Sequence, residues 1–166
     1  MLAIGLLILG IASRLIVHVP NFTPVIALSL FSGVYLKKSH AIILPIVLLA
    51  ISDLILGLHN TMIFTYTSVL IISSMGILLK SRKNVKNITI TSLYSSIIFF
   101  VITNLGVWIA GGLYPMTATG LNDCFIMAIP FFKSELLSTL LYTFVFFGGY
   151  EFIASRVKNT RFAHVL

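Results

Sequence analysis

Acidic residues are nearly missing from this chain: there are four in 166, against eleven Lys and Arg. Charged residues of both signs make up 9% of it, where a soluble domain carries roughly 25%. A water-soluble fold of this length would have too little to place on its surface, which excludes a soluble enzyme and a disordered chain. Cysteine is as scarce. Cys124 stands alone, so no internal disulfide can form and a stapled secreted domain is excluded. No Cys/His pair has zinc-ligand spacing. Walker loops, GxSxG elbows and HExxH runs are absent, and so are metal or cofactor motifs of any other kind. With no internal repeat, low-complexity stretch or linker, one domain is expected over residues 1–166.

What the chain does have is apolar length. Hydrophobic residues are 58% of the total and the mean hydropathy is +1.09. A helix needs about 20 mostly apolar residues to cross a bilayer. The expectation is an all-α polytopic membrane protein with six transmembrane helices, at residues 2–19, 22–36, 41–58, 61–79, 88–113 and 135–157. The first is read as a retained helix and not a signal peptide. Its apolar run begins at Leu2, and Arg14 follows Ser13 where a cleavage site would fall. Pro24 sits in the first turn of the second, where proline is tolerated. Between the last two spans, residues 114–134 contain the apolar run Phe125–Phe132 interrupted by Pro130. That pattern reads as an interfacial or re-entrant piece.

The basic residues test this map. Lys37 and Lys38, then Lys80, Arg82, Lys83 and Lys86, then Arg156, Lys158 and Arg161 all fall on one side of a six-span model. The opposite connections hold only Lys133. Positive-inside bias then places both termini in the cytoplasm, with the protein in the cell's inner membrane. It also disposes of nucleic acid as a partner, because these charges are scattered over three short segments beside the bilayer.

Ionisable groups inside a membrane helix usually face a cavity or a partner. Arg14, Asp53 and Asn104 lie on three different helices at one level in the outer leaflet. Helical spacing adds His18 to the face of Arg14, and Trp108 to that of Asn104. Tyr66 is placed to close the ring, and the outer connections contribute His59, Tyr114, Asn122, Asp123 and Cys124. Two readings stay open. Arg14 and Asp53 can form a pair that only locks two helices together, or a pair beside a ligand site. Likewise Asn104 can be interhelical glue, Trp108 a belt residue, and residues 120–132 either a lid over the bundle mouth or an ordinary interfacial segment.

Four stretches carry a resemblance: Pro20–Leu28, Ser52–His59, Asn104–Trp108 and Gly120–Phe132. As a set they are similar to a bacterial membrane family of unknown function, over nearly the whole chain. That family resembles in turn the substrate-binding S subunits of energy-coupling-factor (ECF) vitamin transporters. The resemblance implies a six-helix bundle with cytoplasmic termini, an outer ligand pocket covered by a loop, and a coupling subunit with ATPases as partners. S subunits often dock that subunit through small residues four apart in helix one. Here Ala3, Gly5, Gly10 and Ala12 lack that spacing, whereas Ser29 and Gly33 in the second helix have it.

The expected function is binding of a small solute in an outward-facing pocket and participation in its uptake, without catalysis. The pocket would draw on Arg14, His18, Asp53, His59, Tyr66, Asn104, Trp108, Asn122 and Cys124. The alternative is a structural or assembly protein with no ligand. A membrane enzyme would need a nucleophile, base and orienter at recognisable spacing, which are not seen.

Overall fold

The computed structural model describes residues 2–16 and 19–157. Among these, all regular structure is helical. In chain order the helices are α1 (Leu2–Ile16), α2 (Val25–Tyr35), α3 (Lys38–Leu56), α4 (Met62–Leu79), α5 (Val85–Ala110), α6 (Ala118–Thr143) and α7 (Gly149–Val157). A π-helical turn, Phe144–Gly148, joins α6 to α7 without a break. Four helical stretches are long and apolar enough to cross a membrane: Lys38–Leu56, Met62–Arg82, Val85–Ala110 and Ala118–Arg156. Their outward faces carry large apolar side chains such as Leu54, Ile63 and Leu78, each 70% exposed or more. Such surfaces suit lipid and would aggregate in water. The described parts of α1 and α2 are shorter.

Local sequence explains where these helices begin and end. Asn84 caps α5 by accepting a hydrogen bond from the Asn87 N–H at 2.8 Å, and Thr117 caps α6 by accepting from the Gly120 N–H at 3.1 Å. Gly57, at φ 110°, ends α3 in a conformation that other residues rarely adopt. Replacing Thr117 by alanine removes its cap and should cost about 1 kcal/mol, read as a lower Tm of the detergent-extracted protein.

The segment 114–134 departs from the sequence-based expectation. It is more regular than an interfacial or re-entrant piece was expected to be: from Ala118 onward it is the first part of α6, and Pro130 lies inside that helix. Proline is tolerated in membrane helices because neighbouring groups re-satisfy the backbone it frees. The uninterrupted stretch Ala118–Arg156 has 39 residues. At 1.5 Å per residue it is about 58 Å long, roughly twice a bilayer's hydrocarbon thickness.

At the centre of the bundle stands α2. Every residue from Val25 to Val34 is buried. The helix packs against α3, α4, α5 and α6, and its side chains join Leu44, Leu48, Leu49, Val69, Ile72 and Phe146 in one core. Its closest neighbour is α4, and the reason is a pair of glycines. A Cβ on Gly33 would come within 2.7 Å of the Gly76 Cα and 2.5 Å of the Ser73 carbonyl oxygen. A Cβ on Gly76 would strike the Leu30 carbonyl oxygen. The two backbones touch, as small residues permit in membrane bundles. Ser29 and Gly33, the small pair noted as a possible docking motif, therefore face the inside of this protein.

One end of the bundle is drawn together by polar contacts. Glu151 of α7 accepts hydrogen bonds from Lys83 at 2.7 Å and from the Tyr35 hydroxyl at 2.5 Å. Lys83 also lies over the Tyr35 ring, 4.6 Å from its centroid. The α2–α3 and α4–α5 connections, with Lys37, Lys80, Arg82 and Lys83, and the starts of α3 and α5, with Lys38 and Lys86, thus lie at the same end as α7.

Candidate functional site

The site is at the other end, where the α1–α2, α3–α4 and α5–α6 connections lie. Its first component is an ion pair. Arg14 falls in the last turn of α1 and Asp53 in the last turn of α3, and Arg14 Nη1 lies 2.9 Å from Asp53 Oδ1. The same nitrogen donates to Ser52 Oγ. The Tyr66 hydroxyl of α4 donates to Asp53 Oδ2 at 3.2 Å. Both oxygens of Asp53 are thereby engaged and its side chain is 2% exposed, while that of Arg14 is 16% exposed. Three helices are tied by this one carboxylate. Breaking such a pair leaves a charge stranded, so its members hold each other in place.

The exposed part of Arg14 looks into a cavity of about 480 Å³. That is within the size range of small-molecule sites, about 300–1,000 Å³. Val25, Ile26 and Leu49 of the core close its inner side. One wall comes from α5, with Phe99, Phe100, Thr103 and Asn104. The adjoining wall comes from α6, with Cys124, Met127, Ala128, Phe131 and Glu135. His59, Leu113 and Tyr114 reach it from the connections.

The α5–α6 wall is rigidly built. Phe100 meets Phe125 edge-on at 5.5 Å and Phe132 at 4.6 Å between ring centroids. Cys124 Sγ donates to the Asn104 carbonyl at 3.5 Å, and the Asn104 amide nitrogen donates to the Phe100 carbonyl at 2.7 Å. Gly106 gives Phe64 of α4 room to lie against α5.

The nine residues singled out from the sequence are distributed as follows. Arg14, His59, Asn104 and Cys124 line the cavity. Asp53 and Tyr66 stand behind Arg14 and do not line it. Trp108 does not share the cavity with Asn104; its indole N–H donates to the Pro115 carbonyl at 3.0 Å and pins the α5–α6 connection. Asn122 is exposed, away from the cavity. His18 lies outside the described residues. From the apolar run Phe125–Phe132, which is helical, Met127, Ala128 and Phe131 line the cavity.

Glu135 is the residue that sequence reasoning missed. In the sequence it reads as the first residue of the last span, where an acid is ordinary. With Pro130 accommodated, it sits 17 residues into α6, about 25 Å from the helix start. Its side chain is 4% exposed, the Ser96 hydroxyl of α5 lies beside its carboxyl, and Oε1 has no hydrogen-bond partner. One turn further, Ser138 donates to the Thr23 carbonyl at 3.3 Å, which fixes the α1–α2 connection against α6. Thr139 and Thr143, at four and eight residues beyond Glu135, are also buried with unpartnered hydroxyls. Among the described residues, no three His, Cys, Asp or Glu side chains gather as metal ligands.

Comparison with known proteins adds the family and nothing finer. No curated protein and no solved structure matches the chain. A model of a family of unknown function, DUF6580, matches residues 1–161, and the chain belongs to that family.

Proposed function

We propose that this protein binds a small solute in its cavity and takes part in the solute's uptake across the inner membrane. The observation that carries the reading is the cavity itself: about 480 Å³ with polar groups from α1, α5 and α6 in its lining, inside a bundle whose long helices carry large apolar side chains on their outward faces. Polar groups at membrane depth are costly, and they concentrate where a substrate passes. The cavity lies at the end opposite to Lys37, Lys38 and Lys83, so positive-inside bias supports an outward opening with cytoplasmic termini and six crossings. Lys158 and Arg161, counted in that bias, lie outside the described residues.

The resemblance to ECF S subunits supports the same picture and suggests an energising coupling subunit with ATPases. Because Ser29 and Gly33 are buried against α4, such a subunit would have to dock on another face.

The test is mass spectrometry of small molecules released from the purified, detergent-extracted protein. A solute should accompany the wild type, and Asn104→Ala should retain about three- to tenfold less of it, the effect of one lost hydrogen bond. Equal retention in the variant, or no solute at all, would sink the reading. One observation favours a second reading, a structural or assembly role: the Arg14–Asp53–Tyr66 cluster satisfies itself without a ligand. In that case no solute appears and variants of the cluster lose stability only.

A further inference from the structure

Glu135 raises a question that solute binding alone does not answer. A carboxylate 4% exposed is expensive unless something pairs with it. Yet Glu135 belongs to the cavity lining, and its Oε1, itself buried, accepts no hydrogen bond. Among the described residues, neither basic group of the cavity lining pairs with Glu135. Arg14 binds Asp53 and Ser52 through Nη1, and the His59 ring is engaged with Thr61 Oγ1 at 2.9 Å. Lys133, two residues away, is exposed and does not line the cavity. The cavity that Glu135 lines also carries three phenylalanines, Phe99, Phe100 and Phe131. Aromatic faces attract cations, most strongly where water is excluded. A buried acceptor beside aromatic rings is a receptor for a flat body with a positively charged N–H group.

We propose that the solute is a small organic cation, an amine or amidine, whose protonated nitrogen is received by Glu135 while its apolar body lies against Phe99, Phe100 and Phe131. This rests on the reading of the cavity as a solute site and specifies its ligand. The Arg14 guanidinium is paired with Asp53, and the pair adds no net charge that would offset Glu135.

The experiment uses three nearly isosteric probes of different charge: benzamidine, benzamide and benzoate. Each is titrated against the full-length protein in detergent and binding is read from the rise in Tm. Benzamidine should half-saturate at a concentration about tenfold or more below benzamide, as expected for a charge-assisted hydrogen bond over a neutral one, and benzoate should give no shift. Glu135→Gln, which keeps the shape, should bring benzamidine and benzamide within about threefold of each other. Ala128→Leu, which fills the cavity and keeps Glu135, should abolish the benzamidine response. Equal responses to the three probes, no response to any, or a benzamidine preference that survives either substitution would overturn the proposal. A neutral or anionic solute co-purifying with the wild type would overturn it too, while leaving the cavity's role intact. The lack of any co-purifying solute would remove that role itself.

Discussion

Replacing Gly76 by valine is expected to abolish folded, extractable protein. Three atoms of side chain would have to enter a space where even a Cβ meets the Leu30 carbonyl and the Gly33 Cα. Overpacking usually costs about 1–3 kcal/mol because side chains swing aside. Here the obstacle is backbone, which cannot swing, so the cost should exceed about 3 kcal/mol. The contact is reciprocal, and Gly33→Val should be as damaging. Gly5 offers a control: a Cβ there meets nothing within 4 Å, so Gly5→Ala should leave the Tm nearly unchanged. Size-exclusion profiles and Tm values of the three variants, expressed side by side, check this. A monodisperse Gly76→Val protein with wild-type Tm would show that α2 and α4 do not meet as described.

Asp53→Ala alone should cost about 3 kcal/mol, the lower end of the range for breaking a buried pair, because Arg14 keeps some exposure through the cavity. The substitution strands the guanidinium and unties the Tyr66 hydroxyl together. Arg14→Met combined with Asp53→Leu should recover most of that loss, since two apolar groups of similar volume replace the pair without leaving a charge behind. Thermal unfolding of the single and double variants gives the coupling directly. If the double variant is as unstable as the single one, the ion pair is not what holds α1 to α3.

The depth of Arg14 and Asp53 was legible from the chain alone. Counting turns from the helix ends put them at one level, and the structure joins them at 2.9 Å. The caps at Asn84 and Thr117 follow the usual side-chain preferences and were open to the same kind of reading. What hydropathy did not show was which apolar face meets protein and which meets lipid. In a membrane both are apolar, so the periodicity that exposes a buried face in a soluble helix is erased. Hence the burial of α2 on all sides, and the inward turn of Ser29 and Gly33, were invisible. Glu135 was hidden for a different reason. Pro130 reads as a break in water-soluble sequence, and once a break is placed there Glu135 becomes a terminus. The i,i+4 spacing of Asn104 and Trp108 also misled, because the indole is pulled aside by the Pro115 carbonyl.

The burial of α2 has a consequence for how the chain is made. A segment that enters a bilayer alone needs about 20 apolar residues and a surface that lipid can wet. With 11 residues, all but the last of them covered by protein, α2 has neither. The ribosome nevertheless delivers it before the α4, α5 and α6 that enclose it. Its final position is reached only after α6 has emerged, so the nascent protein must shelter α2 until then. Biogenesis therefore finishes near the middle of the molecule with a piece synthesised before most of its enclosure, and a chain cut short before α6 would hold α2 without that enclosure.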